Sequence, residues 1–198
     1  MALRTVLVDC GSRRVPALRE AVLEQGADVV TLPLARANAE VEHARPDVLV
    51  VSGGPRLFTA EPELLAAFAF LDGFAGPIFG ICLGHQALAM RHGARIALGP
   101  RRRDFETVTL RGAHPLFAGY GATARFTTSH REGIDLPPGF DLLADSPSYA
   151  VEAMAHRERP WCGVQFHPET SGEAGRRLFA NFFALARSDV DRRRASAT

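Results

Sequence analysis

Cysteine is scarce in this 198-residue chain: there are three, Cys10, Cys82 and Cys162, widely spaced and without a Cys-x-x-Cys pair. So odd and scattered a set argues against a disulfide framework and a thiolate zinc site, and free thiols suit a reducing compartment. Charge of one sign is lacking too. Basic and acidic residues number 23 and 22, a net charge of +1, which argues against a strong non-specific nucleic-acid binder but leaves room for a small anionic substrate. Long hydrophobic runs are missing: the longest, Leu64 to Leu71, falls far short of the ~20 residues a membrane span needs. The apolar stretch at Met1–Asp9 is too short for a signal peptide and has no small-residue cleavage site. There is no P-loop and no dinucleotide fingerprint. These absences predict a cytoplasmic chain that needs no membrane, nucleic acid, metal or cofactor.

What is present suits one globular domain, since 46% of the residues are hydrophobic and a chain of this length buries roughly 70% of its unfolded surface. The first half alternates strand and helix patterns. Thr5–Asp9, Asp28–Leu34, Asp47–Ser52 and Pro77–Ile81 read as strands, and Val15–Gln25, Ala37–Ala44, Glu61–Leu71 and Gly84–His92 as helices. That order predicts a doubly wound, flavodoxin-like α/β fold with helices on both faces of the sheet. After Gly93 the pieces Phe105–Leu110, Ala124–Ser129, Phe140–Ala144, Val151–Ala155 and Trp161–Phe166 follow with little helix between them, which suggests an antiparallel extension. A last helix, about Glu173 to Ala186, places Leu178, Phe179, Phe182 and Phe183 on a core face. The domain is expected to span 1–187. The stretch 188–198, with Arg192-Arg193-Arg194, has little to bury and reads as a disordered tail.

The chemistry centres on Gly80-Ile81-Cys82-Leu83-Gly84 at a strand-to-helix junction. It has the form of a nucleophile elbow with Cys in the place of Ser. Side chains two residues either side of the nucleophile would collide with strand and helix, hence the glycines. The helix amino terminus stabilises a thiolate there. A thiol nucleophile needs a base, and His167 stands at the end of the strand-like run Gly163–Phe166. Glu169 lies two residues on, on the same side of an extended chain, and Pro168 keeps the chain extended; its carboxylate could hold the imidazole in one tautomer. Oxyanion donors are expected at the N–H of Leu83 and in the loop Ser52-Gly53-Gly54-Pro55. Gln86, one helical turn after Cys82, is a candidate contact for the polar end of a substrate. His85 and His92 lack a third ligand at suitable spacing and read as surface residues.

Together these segments resemble the class I, triad-type glutamine amidotransferases over about Thr5 to Leu185. The resemblance implies Cys82, His167 and Glu169 as the triad, oxyanion donors at Gly54 and Leu83, and glutamine contacts at Gln86 and the adjoining Gly53. It implies release of ammonia from L-glutamine and its transfer to a synthase. Within the family the segments look most like the glutaminase part of GMP synthases, whose synthase is of the ATP-pyrophosphatase type. Supports are Gly11-Ser12, Ser52-Gly-Gly-Pro55, Ser129-His130 and Gly175-Arg-Arg-Leu-Phe-Ala-Asn-Phe182. Departures are Arg13-Arg14, Arg56-Leu57-Phe58 and Arg131-Glu132, in loops that would face substrate or partner. No ATP-pyrophosphatase region is present, so the ammonia-using step is expected on another polypeptide, with Arg56, Arg101, Arg102 and Arg131 as candidate contacts. Two readings stay open beside this one: a stand-alone γ-glutamyl hydrolase, and an amidotransferase component of another pathway.

Overall fold

The computed structural model describes residues 2–196. A nine-stranded sheet runs through it. Its parallel part is built from β1 (Arg4–Asp9), β2 (Asp28–Pro33), β3 (Val48–Val51) and β4 (Ile78–Ile81), connected through α1 (Val15–Leu23), α2 (Leu34–Ala44) and a 3-10 helix (Pro62–Leu71). α3 (Leu83–Arg91) follows β4. Then come β5 (Ile96–Leu110), β6 (Thr123–Ile134), β7 (Phe140–Asp145), β8 (Ala153–His156), β9 (Trp161–Val164) and α4 (Gly172–Ser196). The strand order is β2-β1-β3-β4-β9-β8-β7-β5-β6. β3 and β4 are buried along their whole length, as apolar strands covered on both faces must be. One face packs against α1 and α4, where Phe79 stacks on Phe182 with ring centroids 4.6 Å apart. The other packs against α2, α3 and the 3-10 helix. The doubly wound fold with an antiparallel extension is thus as expected, with four differences.

First, β9 is not part of the antiparallel extension. It lies parallel to β4, pairing Gly80 with Gly163 and Ile81 with Val164, and is antiparallel only to β8. Second, β5 begins at Ile96, well before Phe105, and pairs with β6 down to Ile134 across an irregularity between Leu98 and Arg102. Gly99-Pro100 and three successive arginines hide a strand whose side chains are largely exposed. Third, Pro62–Leu71 winds as 3-10 helix, with Phe68 off helical geometry at φ −102°, ψ 15°. Fourth, the predicted tail is ordered through Ser196 as the end of α4. Val190 and Asp189 are buried, Asp189 pairs with Arg192 and Arg193, and Arg194 reaches Asp47 at 3.1 Å. The basic run Arg192-Arg193-Arg194 has acidic partners in its own helix and beside β3. Residues 197–198 of that predicted tail lie outside the described residues. No described helix is long and apolar enough to cross a membrane.

Candidate active site

Cys82 stands between β4 and α3 with φ 49° and ψ −102°, a conformation that costs a non-glycine residue about 1–3 kcal/mol. The neighbouring glycines make it reachable. A Cβ on Gly80 would lie 2.7 Å from the Gly84 carbonyl oxygen, and one on Gly84 would lie 2.4 Å from that of Val51. The Cys82 N–H donates to the Val164 carbonyl at 2.8 Å, tying the elbow to the end of β9. The chain then runs through Gln165 and Phe166 to His167, whose N–H donates to the Thr127 carbonyl at 2.8 Å. The parallel return of β9 is therefore what sets the imidazole beside the thiol.

His167 and Glu169 both have buried side chains, with His167 Nδ1 2.7 Å from Glu169 Oε1. Glu169 is carried not by extended chain, as expected, but by a short 3-10 turn, Pro168–Thr170, fixed by Ser171, whose hydroxyl donates to the His167 carbonyl at 2.6 Å and accepts the Thr127 N–H at 2.9 Å. Burial by itself would lower the His167 pKa. Hydrogen bonds to Cys82 and Glu169, with the charges of both, outweigh burial and hold it up at about 9. The other two cysteines differ sharply from this environment: burial pushes the thiols of Cys10 and Cys162 up to about 12, so both stay protonated.

The Ser52–Pro55 loop closes over this pair. A Cβ on Gly53 would lie 2.9 Å from His167 Cε1 and 3.3 Å from Cys82 Cβ. Gly54 is wedged too: a Cβ on it would lie 2.7 Å from Leu83 Cδ2 and 2.4 Å from the Cys10 carbonyl oxygen. Gly54, one expected oxyanion donor, thus lies against the side chain of Leu83, the residue that follows the thiol. Gln86 is also at the site, but its amide NH2 is engaged: Nε2 donates to the Glu132 carbonyl at 3.2 Å and to Gln165 Oε1 at 3.0 Å. A substrate contact by Gln86 falls to its carbonyl oxygen. A cleft of about 760 Å³ opens from Cys82, Gln86 and His167 toward arginines of the Gly11–Arg14 loop, β5 and β6.

Two histidines read as surface residues are not. His85 is fully buried, and burial pushes its imidazole down to about 3. His92 is half-buried among the rings of Phe140 and Trp161, at 5.3 and 5.2 Å. α3 is enclosed from Leu83 through Ala89, so its polar residues point into protein.

Ser129-His130 and Arg131-Glu132, which the sequence offers only as marks of resemblance and of departure in loops, lie instead on strand β6, with His130 and Glu132 on its inward face. Phe126, Thr128, His130 and Glu132 alternate there, all buried. Burial pushes His130 down to about 4. Its ring meets Tyr149 at 4.5 Å. With Glu106 and Glu152 it forms a compact group whose ligand-type atoms lie within 4.8 Å of one another, with Arg102 ion-paired to Glu106 at 3.7 Å. The signal available was the period-two spacing of polar residues in Thr128–Glu132, which reads equally well as a solvated strand face.

A strained cysteine elbow on a parallel strand, with a buried His-Glu pair delivered by the adjacent strand, defines a cysteine-dependent amide-cleaving class of α/β protein. The chain belongs to the class I glutamine amidotransferases: the model of that family matches residues 6–186. It is 32% identical over 183 residues to the glutamine-hydrolyzing GMP synthase subunit of Thermococcus kodakarensis, covering 91% of this chain and 97% of that one. It is 32% identical over 181 residues to the protein of the same name from Pyrococcus furiosus, covering 89% and 95%. Among solved structures, a protein from Thermoplasma acidophilum described as a subunit of GMP synthase superposes with a TM-score of 0.89 at 27% identity, covering 98% of this chain and 99% of that one.

Proposed function

We propose that the chain hydrolyses L-glutamine and delivers the ammonia to a separate synthase of the ATP-pyrophosphatase type, for GMP synthesis. The observation that carries this reading is the chain of contacts Cys82–His167–Glu169 at a strained elbow. The Cys82 thiolate attacks the side-chain carboxamide carbon of glutamine. Negative charge moves to the amide oxygen, where the N–H groups of Gly54 and Leu83 receive it. His167 gives its proton to the nitrogen as the C–N bond breaks, and ammonia leaves a γ-glutamyl thioester on Cys82. Water, losing a proton to His167, then attacks the thioester and glutamate departs. Glu169 keeps the imidazole in one orientation and stabilises its charged form. The departures at Arg13-Arg14, Arg56 and Arg131 fall around the mouth of the cleft, where a partner would dock.

The test is glutamate release by the purified chain, by itself and then with the partner synthase and its nucleotide substrates. We expect slow turnover by the lone chain and stimulation of roughly 10²–10³-fold by the partner, the worth of one correctly placed oxyanion donor. Cys82→Ala should abolish turnover in both settings, and a glutamine-like alkylator should label Cys82 and leave Cys10 and Cys162 untouched. Full turnover by the lone chain on γ-glutamyl peptides, indifferent to any partner, would support the γ-glutamyl hydrolase reading instead.

A further inference from the structure

Glu132 lies on β6, far in sequence from both the elbow and the Ser52–Pro55 loop, and its surroundings are unusual. The residue is 1% exposed. One carboxylate oxygen accepts the Phe58 N–H at 3.2 Å; the other accepts the Thr59 N–H at 2.7 Å and the Thr59 hydroxyl at 2.6 Å. Its backbone carbonyl accepts Gln86 Nε2 at 3.2 Å and faces His130 Nδ1 at 3.2 Å. A buried carboxylate is costly to desolvate and persists only where hydrogen bonds replace the lost water. Here all three donors to the carboxylate come from one short segment, Phe58-Thr59.

That segment is the far end of the loop that carries Gly53 and Gly54. The near end is fixed separately: the Ser52 hydroxyl accepts the Cys10 N–H at 2.9 Å and donates to the Gly53 carbonyl at 2.8 Å. The loop is thus a strap pinned at Ser52 and at Phe58-Thr59, with the two glycines between the pins. Phe58 is also buried against Phe68, ring centroids 5.8 Å apart. Apolar contact holds the side chain but is non-directional. Hydrogen bonds to a carboxylate fix the direction of the backbone N–H groups, and an oxyanion donor works only when its direction is right.

We propose that Glu132 is a positioning residue for amide cleavage. Its carboxylate sets the strap that presents the Gly54 N–H, while its backbone carbonyl sets Gln86, so one residue of β6 aligns two sides of the substrate site. The proposal rests on the glutaminase reading and deepens it. Glu132 takes no part in proton transfer, because its carboxylate oxygens are committed to Phe58 and Thr59.

The test uses Glu132→Gln, which keeps the shape but turns an NH2 group toward N–H donors, and Thr59→Val, which removes only the hydroxyl contact. Each is measured in the full chain together with its partner synthase. We expect kcat to fall about 10–100-fold in Glu132→Gln and less in Thr59→Val, part of the 10²–10³ associated with losing a whole oxyanion donor. Alkylation of Cys82 by iodoacetamide, which needs no oxyanion donor, should keep its wild-type rate and pH profile. Amide hydrogen exchange at Phe58 and Thr59 should quicken while that of β4 and β9 stays unchanged. Glu132→Asp, with the same charge on a shorter arm, should recover part of the lost rate. Wild-type kcat in Glu132→Gln would overturn the proposal. So would loss of kcat accompanied by slowed alkylation and faster exchange throughout the sheet, which would make Glu132 a general stability residue. If the wild-type chain with its partner releases no glutamate, the glutaminase reading fails, and the exchange experiment alone then decides whether Glu132 holds the strap.

Discussion

At neutral pH the His167 ring, held up at about 9 against the pull of burial by its bonds to Cys82 and Glu169, carries its proton and faces Cys82. The proton that the leaving nitrogen needs is therefore in place before substrate arrives. The sign of the pH dependence follows. The raised pKa means that protonated His167 also contributes to folding. That contribution is complete below the unfolded value of about 6.5 and is lost as pH rises through about 9. In catalysis the same loss removes the proton needed by the leaving nitrogen. The kcat/KM profile for glutamine should fall on its alkaline side with an apparent pKa near 9. Glu169→Gln should shift that limb to lower pH and slow turnover by about 10²–10⁴-fold. An alkaline limb that does not move in Glu169→Gln would show that Glu169 is not what keeps the ring charged. This part of the site was legible in the sequence because elbow and His-Pro-Glu are each local: a few adjacent residues determine how their own side chains are aimed. Glu132 was not, because its three donors lie more than seventy positions away and nothing beside it in sequence announces them.

Among the elements, the β4–α3 corner has little room. A methyl group on Gly84 meets backbone, the Val51 carbonyl at 2.4 Å, so no rotamer change relieves it. Gly84→Ala should cost about 2–3 kcal/mol or more in denaturant melts, at the upper end of overpacking effects, and should reduce Cys82 alkylation by displacing α3. A melt within a few tenths of a kcal/mol of wild type would mean that the corner can widen. The early strands were legible because burial on both faces leaves near-continuous apolar runs, as at Val48–Val51 and Ile78–Ile81. Of β5 only Phe105–Leu110 was legible, since the first half of the strand is exposed and rich in arginine. The end of α4 also escaped, because the partners of its charges are set by tertiary packing: Asp47, which Arg194 reaches, is nowhere near it in sequence.

Taken whole, the molecule is almost neutral but unevenly charged. It contains no lysine, so all 23 basic residues are arginines, side chains suited to bidentate pairing with carboxylates. Seven of them line the cleft that ends at Cys82. Arg56 and Arg102 are paired with Glu61 and Glu106. Arg13, Arg14, Arg101, Arg103 and Arg131 form no ion pair among the described residues. A partner with an acidic docking face should therefore associate faster at low salt. Replacing Arg101 and Arg131 by Glu should slow association by about tenfold or more and flatten its salt dependence, with smaller effects on dissociation; stopped-flow binding at several salt concentrations checks this. An unchanged association rate would remove the rim from the interface. The place of β9 in the sheet also bears on how the chain is made. Its neighbour β4 is synthesised about eighty residues earlier and must wait beside an empty slot while β5 to β8 emerge. During that interval β4 is an unpaired, wholly apolar edge, the kind that recruits strands from other chains. Cys82 then has no imidazole beside it, so the nascent protein carries an idle thiol. Reactivity arrives in one step, when β9 docks and brings His167 and Glu169 with it, and a chain halted before that point is an aggregation hazard with no hydrolytic activity.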